Sequence, residues 1–247
     1  MQPIKLLVTG FKGRMGQAIV ECASQDDRVE VTGQIDIGDS LPEALAICDT
    51  VIDFTHHSFS TQLVTAAAET GKKLVIGTTG HTLEELTAIE NATSKVAIVM
   101  APNFSIGVNT LFWLTSKAAN TLGPSFDLEV VEMHHNQKTD APSGTAKRLV
   151  EILAEARQLD YHHDTRHGRQ GDVGARSARE IGLHSMRGGD VVGDHTVVFA
   201  ANGERIELTH RASNRNTFAT GAVRSARWLA NQPPGLYDMQ DVLNLRD

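Results

Sequence analysis

Short apolar runs alternate with segments of helical spacing along the first half of the chain. The run IKLLVT at residues 4–9 stops at the glycine turn Gly10-Phe11-Lys12-Gly13-Arg14-Met15-Gly16. After it, Met15, Ala18, Ile19, Cys22 and Ala23 recur at the spacing of one helix face. VEVTGQID, DTVIDFT, KKLVIGTTG and KVAIVMAPN are further strand-like runs, and residues 58–70, 82–92 and 107–121 carry helical patterns. Strands that alternate with helices in this way predict a parallel sheet covered on both faces.

After about residue 125 the pattern changes. FDLEVVEMHH reads as a strand, and TAKRLVEILAEARQ as an amphipathic helix with Leu149, Val150, Leu153 and Ala156 on one face. A polar stretch rich in glycine and histidine follows, from Asp160 to Gly174. REIGLHSMR, HTVVFAA and ERIELTHRA then alternate apolar and polar side chains, the last two joined by Asn202-Gly203, a hairpin turn signal. FATGAVRSARWLAN returns to helical spacing before a short polar tail. The predicted fold is α/β: a Rossmann-like parallel-sheet domain over residues 1–105, completed by 215–247, with an inserted α+β domain over 106–214 carrying a mixed open sheet. The first is expected to bind a dinucleotide, and the second to bind substrate and to oligomerise.

Composition narrows the class. At 40% hydrophobic and 21% charged residues the chain is an ordinary globular protein, and its apolar runs are far too short to span a bilayer. The N-terminus enters a strand-like run without the features of a leader peptide, so a cytoplasmic protein is expected. A formal charge of −7 argues against general affinity for nucleic acid, which needs clustered lysine and arginine. Cys22 and Cys48 read as packing residues in helical segments, without metal-ligand or redox-pair spacing.

The glycine turn follows a strand and opens a helix, the context of a dinucleotide-binding fingerprint. There, glycines admit the pyrophosphate and the helix N-terminus stabilises its charge. Lys12 stands where a glycine is often found. Asp36, at the end of the second strand, is the candidate for the adenosine ribose hydroxyls. It favours NADH by repelling a 2′-phosphate, although Lys12 and Arg14 are basic groups that could offset it. The turns Gly77-Thr78-Thr79-Gly80 and Ala101-Pro102-Asn103-Phe104-Ser105 follow later strands and offer groups for a nicotinamide and its ribose.

EMHHNQKTDAPSGTA, beginning at Glu132, places two histidines and a lysine just before a helix start. Ser143 is suited to cap that helix, the N–H groups of Gly144 and Thr145 to hold a carboxylate, and Lys138 to add charge. This suits a dicarboxylate whose reacting atom needs a proton nearby. The histidines do not complete a metal set, since neighbours on a strand point apart and no H-E-x-x-H is present; no metal is expected.

With GFKGRMG, IDFTHHS, GTTG, APNFSIGVN, EMHHNQKTDAPSGTA, HSMRGGDVVGDHTVVF and ASNRNTFATGAVRSARWL in this order, the chain resembles the 4-hydroxy-tetrahydrodipicolinate reductase family, also called dihydrodipicolinate reductase, over nearly its whole length. The resemblance implies hydride transfer from NADH or NADPH to a cyclic imine dicarboxylate of diaminopimelate and lysine biosynthesis, with loss of water. It implies His134 and Lys138 as the catalytic pair, and His135, Gly144, Thr145 and Arg215 as substrate ligands. Gly10, Phe11, Lys12, Gly13, Arg14, Met15, Asp36, Gly77, Thr78, Thr79, Ala101, Pro102, Asn103, Phe104 and Ser105 would hold the cofactor. A homotetramer joined through the inserted domain's sheet is also implied. Asp36-Ile37 stands where family members often have an acid followed by arginine, which weighs against strong NADPH preference. Two rival readings share part of this pattern: another two-domain dehydrogenase of amino-acid metabolism, and a non-catalytic nucleotide sensor.

Overall fold

The computed structural model describes residues 2–214 and 216–246. The chain divides into two compact units, residues 1–106 with 215–247, and residues 107–214.

The first unit is built on a parallel sheet ordered β11-β5-β4-β3-β1-β2. Its strands are β1 (Ile4–Thr9), β2 (Val29–Ile35), β3 (Thr50–Asp53), β4 (Lys73–Ile76), β5 (Ala97–Met100) and β11 (Gly235–Tyr237). The β1, β3, β4 and β5 runs are continuous apolar segments because both faces are covered. On one face α1 (Arg14–Ser24) and α8 (Asn216–Leu229) bury Ile19, Ala222 and Ala226 against Leu6, Val8 and Val75. On the other, α2 (Leu41–Ala46), α3 (His57–Thr70) and α4 (Leu83–Ala92) pack Leu45, Leu63 and Ile89 against Leu7, Val51 and Leu74. Lys73 Nζ closes the end of α8 by donating to the carbonyls of Leu229 and Ala230, both at 2.7 Å, where a cation complements the helix dipole.

Two differences from the sequence reading lie here. The polar tail forms β11 and α9 (Met239–Val242): β11 pairs with β5, and Met239 and Val242 join the core. Cys48 lies just beyond α2 rather than in a helix, buried, with its thiol pushed up to about 11 by burial.

The second unit carries a mixed sheet ordered β10-β9-β6-β8-β7. Its strands are β6 (Asp127–His134), β7 (Thr165–His167), β8 (Ile181–Arg187), β9 (Gly193–Ala201) and β10 (Glu204–Ala212). β9 and β10 form the hairpin, with Gly203 at φ +90° in its turn, whereas β6, β8 and β7 run parallel. Helices α5 (Ile106–Leu122) and α6 (Gly144–Arg157) cover one face, packing Leu111, Phe112, Leu149 and Leu153 on Leu128, Val130, Leu183, Val197 and Phe199. Part of the polar 160–174 stretch forms α7 (Tyr161–Asp164) and β7. Arg169 and Arg176 tie the rest to Glu129, at 2.7 and 3.1 Å.

Candidate active site

In the first unit the strand order reverses between β1 and β3, the place where open parallel sheets receive ligands. A cavity of about 860 Å³ opens there, lined by Thr9, Gly10, Gly13, Asp36, Ile37, Phe54, Thr55 and Phe59 among others. Gly10 has φ +66°, and a Cβ on Gly16 would stand 2.3 Å from the Gly10 carbonyl oxygen, so glycine is required for the turn and for α1 to sit this close to β1. Helix α1 begins at Gly13 with no side-chain cap and no acid in its first turn, whereas α3, α4 and α6 are capped by His56, Thr82 and Ser143. An uncapped helix start beside a glycine turn is a fit for a pyrophosphate.

Asp36 lies on the cavity wall. Its carboxylate accepts from the N–H groups of Ile37 at 2.9 Å and Lys12 at 3.1 Å, which hold it below the usual carboxylate range. Ile37 is 99% exposed and places no charge beside it. Below the turn, the buried Asp53 carboxylate accepts from the hydroxyls of Thr9, Thr55 and Thr78 at 2.6, 2.6 and 2.8 Å, fixing the ends of β1, β3 and β4. Thr78 in turn accepts from the Thr55 N–H at 3.0 Å. Gly77 lies against the Phe54 ring, which meets Phe104 edge-on at 5.5 Å between centroids. The 77–79 and 101–105 turns thus sit at the ends of β4 and β5, the strands next beyond β3.

In the second unit the alternation of β6 puts Leu128, Val130, Glu132 and His134 on the helix-covered face, so the apolar row turns polar at its last two members. His195 occupies the same end of β9, where Glu132 pairs with it in register. Its Nε2 meets Ser143 Oγ at 3.1 Å, and Ser143 Oγ accepts from the Ala146 N–H at 3.2 Å, capping α6. His134 is buried, and Glu132 engages its Nδ1; His135 points away and is half-buried. Lys138 N–H closes a turn on the His135 carbonyl at 3.2 Å, and its ammonium lies 2.7 Å from Asp140. Burial pushes the His134 imidazole down; Glu132 opposes this, and the charges of Lys138 and Arg187 reinforce it. Gly144 and Thr145 form the first turn of α6, beside this group. Arg215 lies outside the described residues.

Glu132, His134 and His195 bring ring nitrogens and carboxylate oxygens within 4.8 Å of one another, a spacing that could hold a cation. Here Arg187 Nη1, 2.9 Å from Glu132, already brings positive charge to the carboxylate, and Ser143 engages Nε2 of His195, whose buried Nδ1 has no hydrogen-bond partner. Glu132, Arg187 and His195 are neighbours of the predicted site residues that were absent from the sequence reading; the E-x-H spacing, which places i and i+2 on one strand face, is the signal that marks the first.

The family sequence model described as "Dihydrodipicolinate reductase, N-terminus" matches residues 4–104, and its C-terminal counterpart matches residues 107–243. The chain belongs to the dihydrodipicolinate reductase family. A 4-hydroxy-tetrahydrodipicolinate reductase of Akkermansia muciniphila is 57% identical over 242 residues, covering 98% of each chain. That of Syntrophotalea carbinolica is 42% identical over 266 residues, covering 98% of this chain and all of its own. A solved dipicolinate-bound dihydrodipicolinate reductase from Paenisporosarcina sp. TG-14 superposes with a TM-score of 0.80 at 28% identity, covering 97% of this chain and 98% of its own. As a member of that family, the chain is an NAD(P)H-dependent oxidoreductase with the α/β architecture seen in the solved relative. It reduces 4-hydroxy-tetrahydrodipicolinate, a small dicarboxylate, to tetrahydrodipicolinate with loss of water, in diaminopimelate and lysine biosynthesis. No helix among the described residues is long and apolar enough to cross a membrane.

Proposed function

We propose a division of this reaction between the two units. In the first, the 10–15 turn and the start of α1 hold the pyrophosphate, Asp36 the adenosine ribose, and the 77–79 and 101–105 turns the nicotinamide end. The cofactor, when bound, supplies the hydride. With Asp36 anionic and Ile37 uncharged, the cradle offers two hydroxyl groups a good acceptor and a 2′-phosphate a repulsive one, so NADH is the preferred donor.

In the second unit, His135, Gly144 and Thr145 bind a substrate carboxylate, and the ASNRNTF motif adds Arg215 as a further substrate ligand. Backbone N–H groups at the start of α6 favour a carboxylate, and the α6 dipole adds to that preference. His134 and Lys138 neutralise the charge that develops on the conjugated imine as it is reduced. The observation that carries this reading is the 135–138 turn, which brings the Lys138 ammonium to the end of β6 where the His134 imidazole is exposed to its charge. Its test is a single-turnover reaction of excess enzyme with NADH and freshly made cyclic substrate, followed by the absorbance of the reduced nicotinamide. Wild type consumes NADH in one fast phase; an equally fast phase with His134→Gln and with Lys138→Ala would remove both residues from the chemistry.

The face of the mixed sheet opposite α5 and α6 carries, by alternation, Val131, Met133, Met186 and Val198 among the polar Glu129, His184, Asp194 and Thr196. Apolar side chains on a sheet face without its own helix cover support assembly through this sheet, and we assign it the homotetramer interface of a cytoplasmic enzyme.

A further inference from the structure

We propose that Glu132 is a positioning residue for the reduction: its carboxylate accepts the Nδ1–H of His134 and reserves Nε2 of that ring for proton exchange with the substrate. This rests on the role given to His134 above. Glu132 has no solvent exposure, and a buried carboxylate among apolar neighbours is costly unless every oxygen is engaged. Both are. Oε2 takes the Nδ1 of His134, while Oε1 accepts from Arg187 Nη1 at 2.9 Å and from the Ser143 N–H at 3.4 Å.

Arg187 cannot yield easily, because it also donates to the carbonyls of Met186 and Asp140, both at 2.6 Å. The carboxylate is thereby anchored from β8 and from the start of α6, and the imidazole takes its orientation from the carboxylate. A pair that served only to neutralise Arg187 would not need the second oxygen turned to His134. Nor would it need the glycine on the other side of the ring. A Cβ on Gly193 would stand 3.0 Å from His134 Nε2, so glycine leaves space at the nitrogen that Glu132 does not hold.

The groups facing the ring come from each neighbouring element: the charged Arg187 from β8, the neutral His195 from β9 at 5.1 Å between centroids, and Lys138 with its partner Asp140 from the loop. Burial drives the ring toward neutrality, and Glu132 is the anion that opposes it. In the proton step the Nε2–H bond of the imidazolium breaks. The proton joins the substrate atom that takes up the electron pair delivered with the hydride. The ring left behind is the neutral Nδ1–H tautomer that Glu132 accepts.

The test uses the full chain with 15N-labelled histidine, its His134 signals identified by their loss in His134→Gln. In wild type the neutral ring is expected to carry its proton on Nδ1; a proton on Nε2 overturns the proposal without any change at Glu132. In Glu132→Gln the amide oxygen is claimed by Arg187 and Ser143, so its NH2 faces Nδ1 and forces the Nε2–H tautomer. We expect that switch together with a fall in kcat of about a hundredfold, the lower end of what positioned proton transfer contributes. The KM for NADH should stay within about twofold. Glu132→Asp, which keeps the charge, is expected to recover the Nδ1–H tautomer and part of kcat, and it decides the matter with the wild-type spectrum if the glutamine variant does not fold. A Glu132→Gln enzyme with the wild-type tautomer, or with an unchanged kcat, overturns the role of Glu132 alone. A His134→Gln enzyme with an unchanged kcat overturns the reading of His134 and this one with it.

Discussion

The Lys138 ammonium is paired with Asp140, whose side chain is 60% exposed, and surface pairs of this kind contribute little to stability. The pair is therefore easily exchanged for a substrate carboxylate. Lys138→Ala is expected to lower kcat by about a hundredfold or more, on the scale of a lost proton donor, while the Kd for NADH measured by fluorescence titration stays unchanged. Equal losses in both would contradict its placement. Asp36→Ala is expected to weaken NADH and to shift the ratio of kcat/KM values toward NADPH; steady-state kinetics with both nucleotides reads this, and an unchanged ratio would take Asp36 out of the ribose site. The positions of Gly10, Gly16 and Asp36 were legible in the sequence because their signal is local: a turn between one strand and one helix, and the end of the next strand. Glu132, Arg187 and His195 were not. Their partnership is made by register between β6, β8 and β9, which pairs Glu132 with Ser185 and with His195, residues more than fifty positions away.

At the scale of elements, the end of the mixed sheet where β6 and β9 turn polar carries a pH signature. Burial, reinforced by the neighbouring His134, pushes the His195 imidazole down to about 3, from an ordinary value of 6.5. The folded chain keeps this ring neutral while the unfolded chain takes up a proton below about 6.5. Between those two values the unfolded state binds more protons, so stability falls as the pH drops through the window, by an amount on the order of a few kcal/mol for this one group. His195→Asn is expected to be less stable at pH 7, having lost its ring, but to lose less on acidification. Urea unfolding midpoints at pH 7, 5 and 4 compare the two slopes, and parallel slopes would refute the assignment. Long elements were legible as well: the periodicity at 107–121 became α5, and that of FATGAVRSARWL became α8. The short elements β7, β11 and α9, of three or four residues, lie in polar stretches without an apolar run like those that mark β3, β4 and β5, and only their pairing or packing with the rest of the fold reveals them.

For the whole molecule, the apolar side chains on the open face of the mixed sheet set the expected assembly. Val198→Glu, near the middle of β9, is expected to convert a tetramer into smaller species in sedimentation velocity while leaving the far-ultraviolet circular dichroism unchanged. A wild-type chain that sediments as a monomer would end this assignment. The first unit, meanwhile, is assembled from both ends of the chain. Helix α8 lies against β3, β4 and β5, and β11 extends the sheet beside β5, so the sheet begun by residues 4–9 is finished only by residues 216–242. Residues 107–214 form their unit from one continuous stretch. On a ribosome this order is inverted relative to the chain: the stretch synthesised in the middle can reach its final form first, while the sheet of the cofactor cradle lacks part of the cover on one face until α8 emerges.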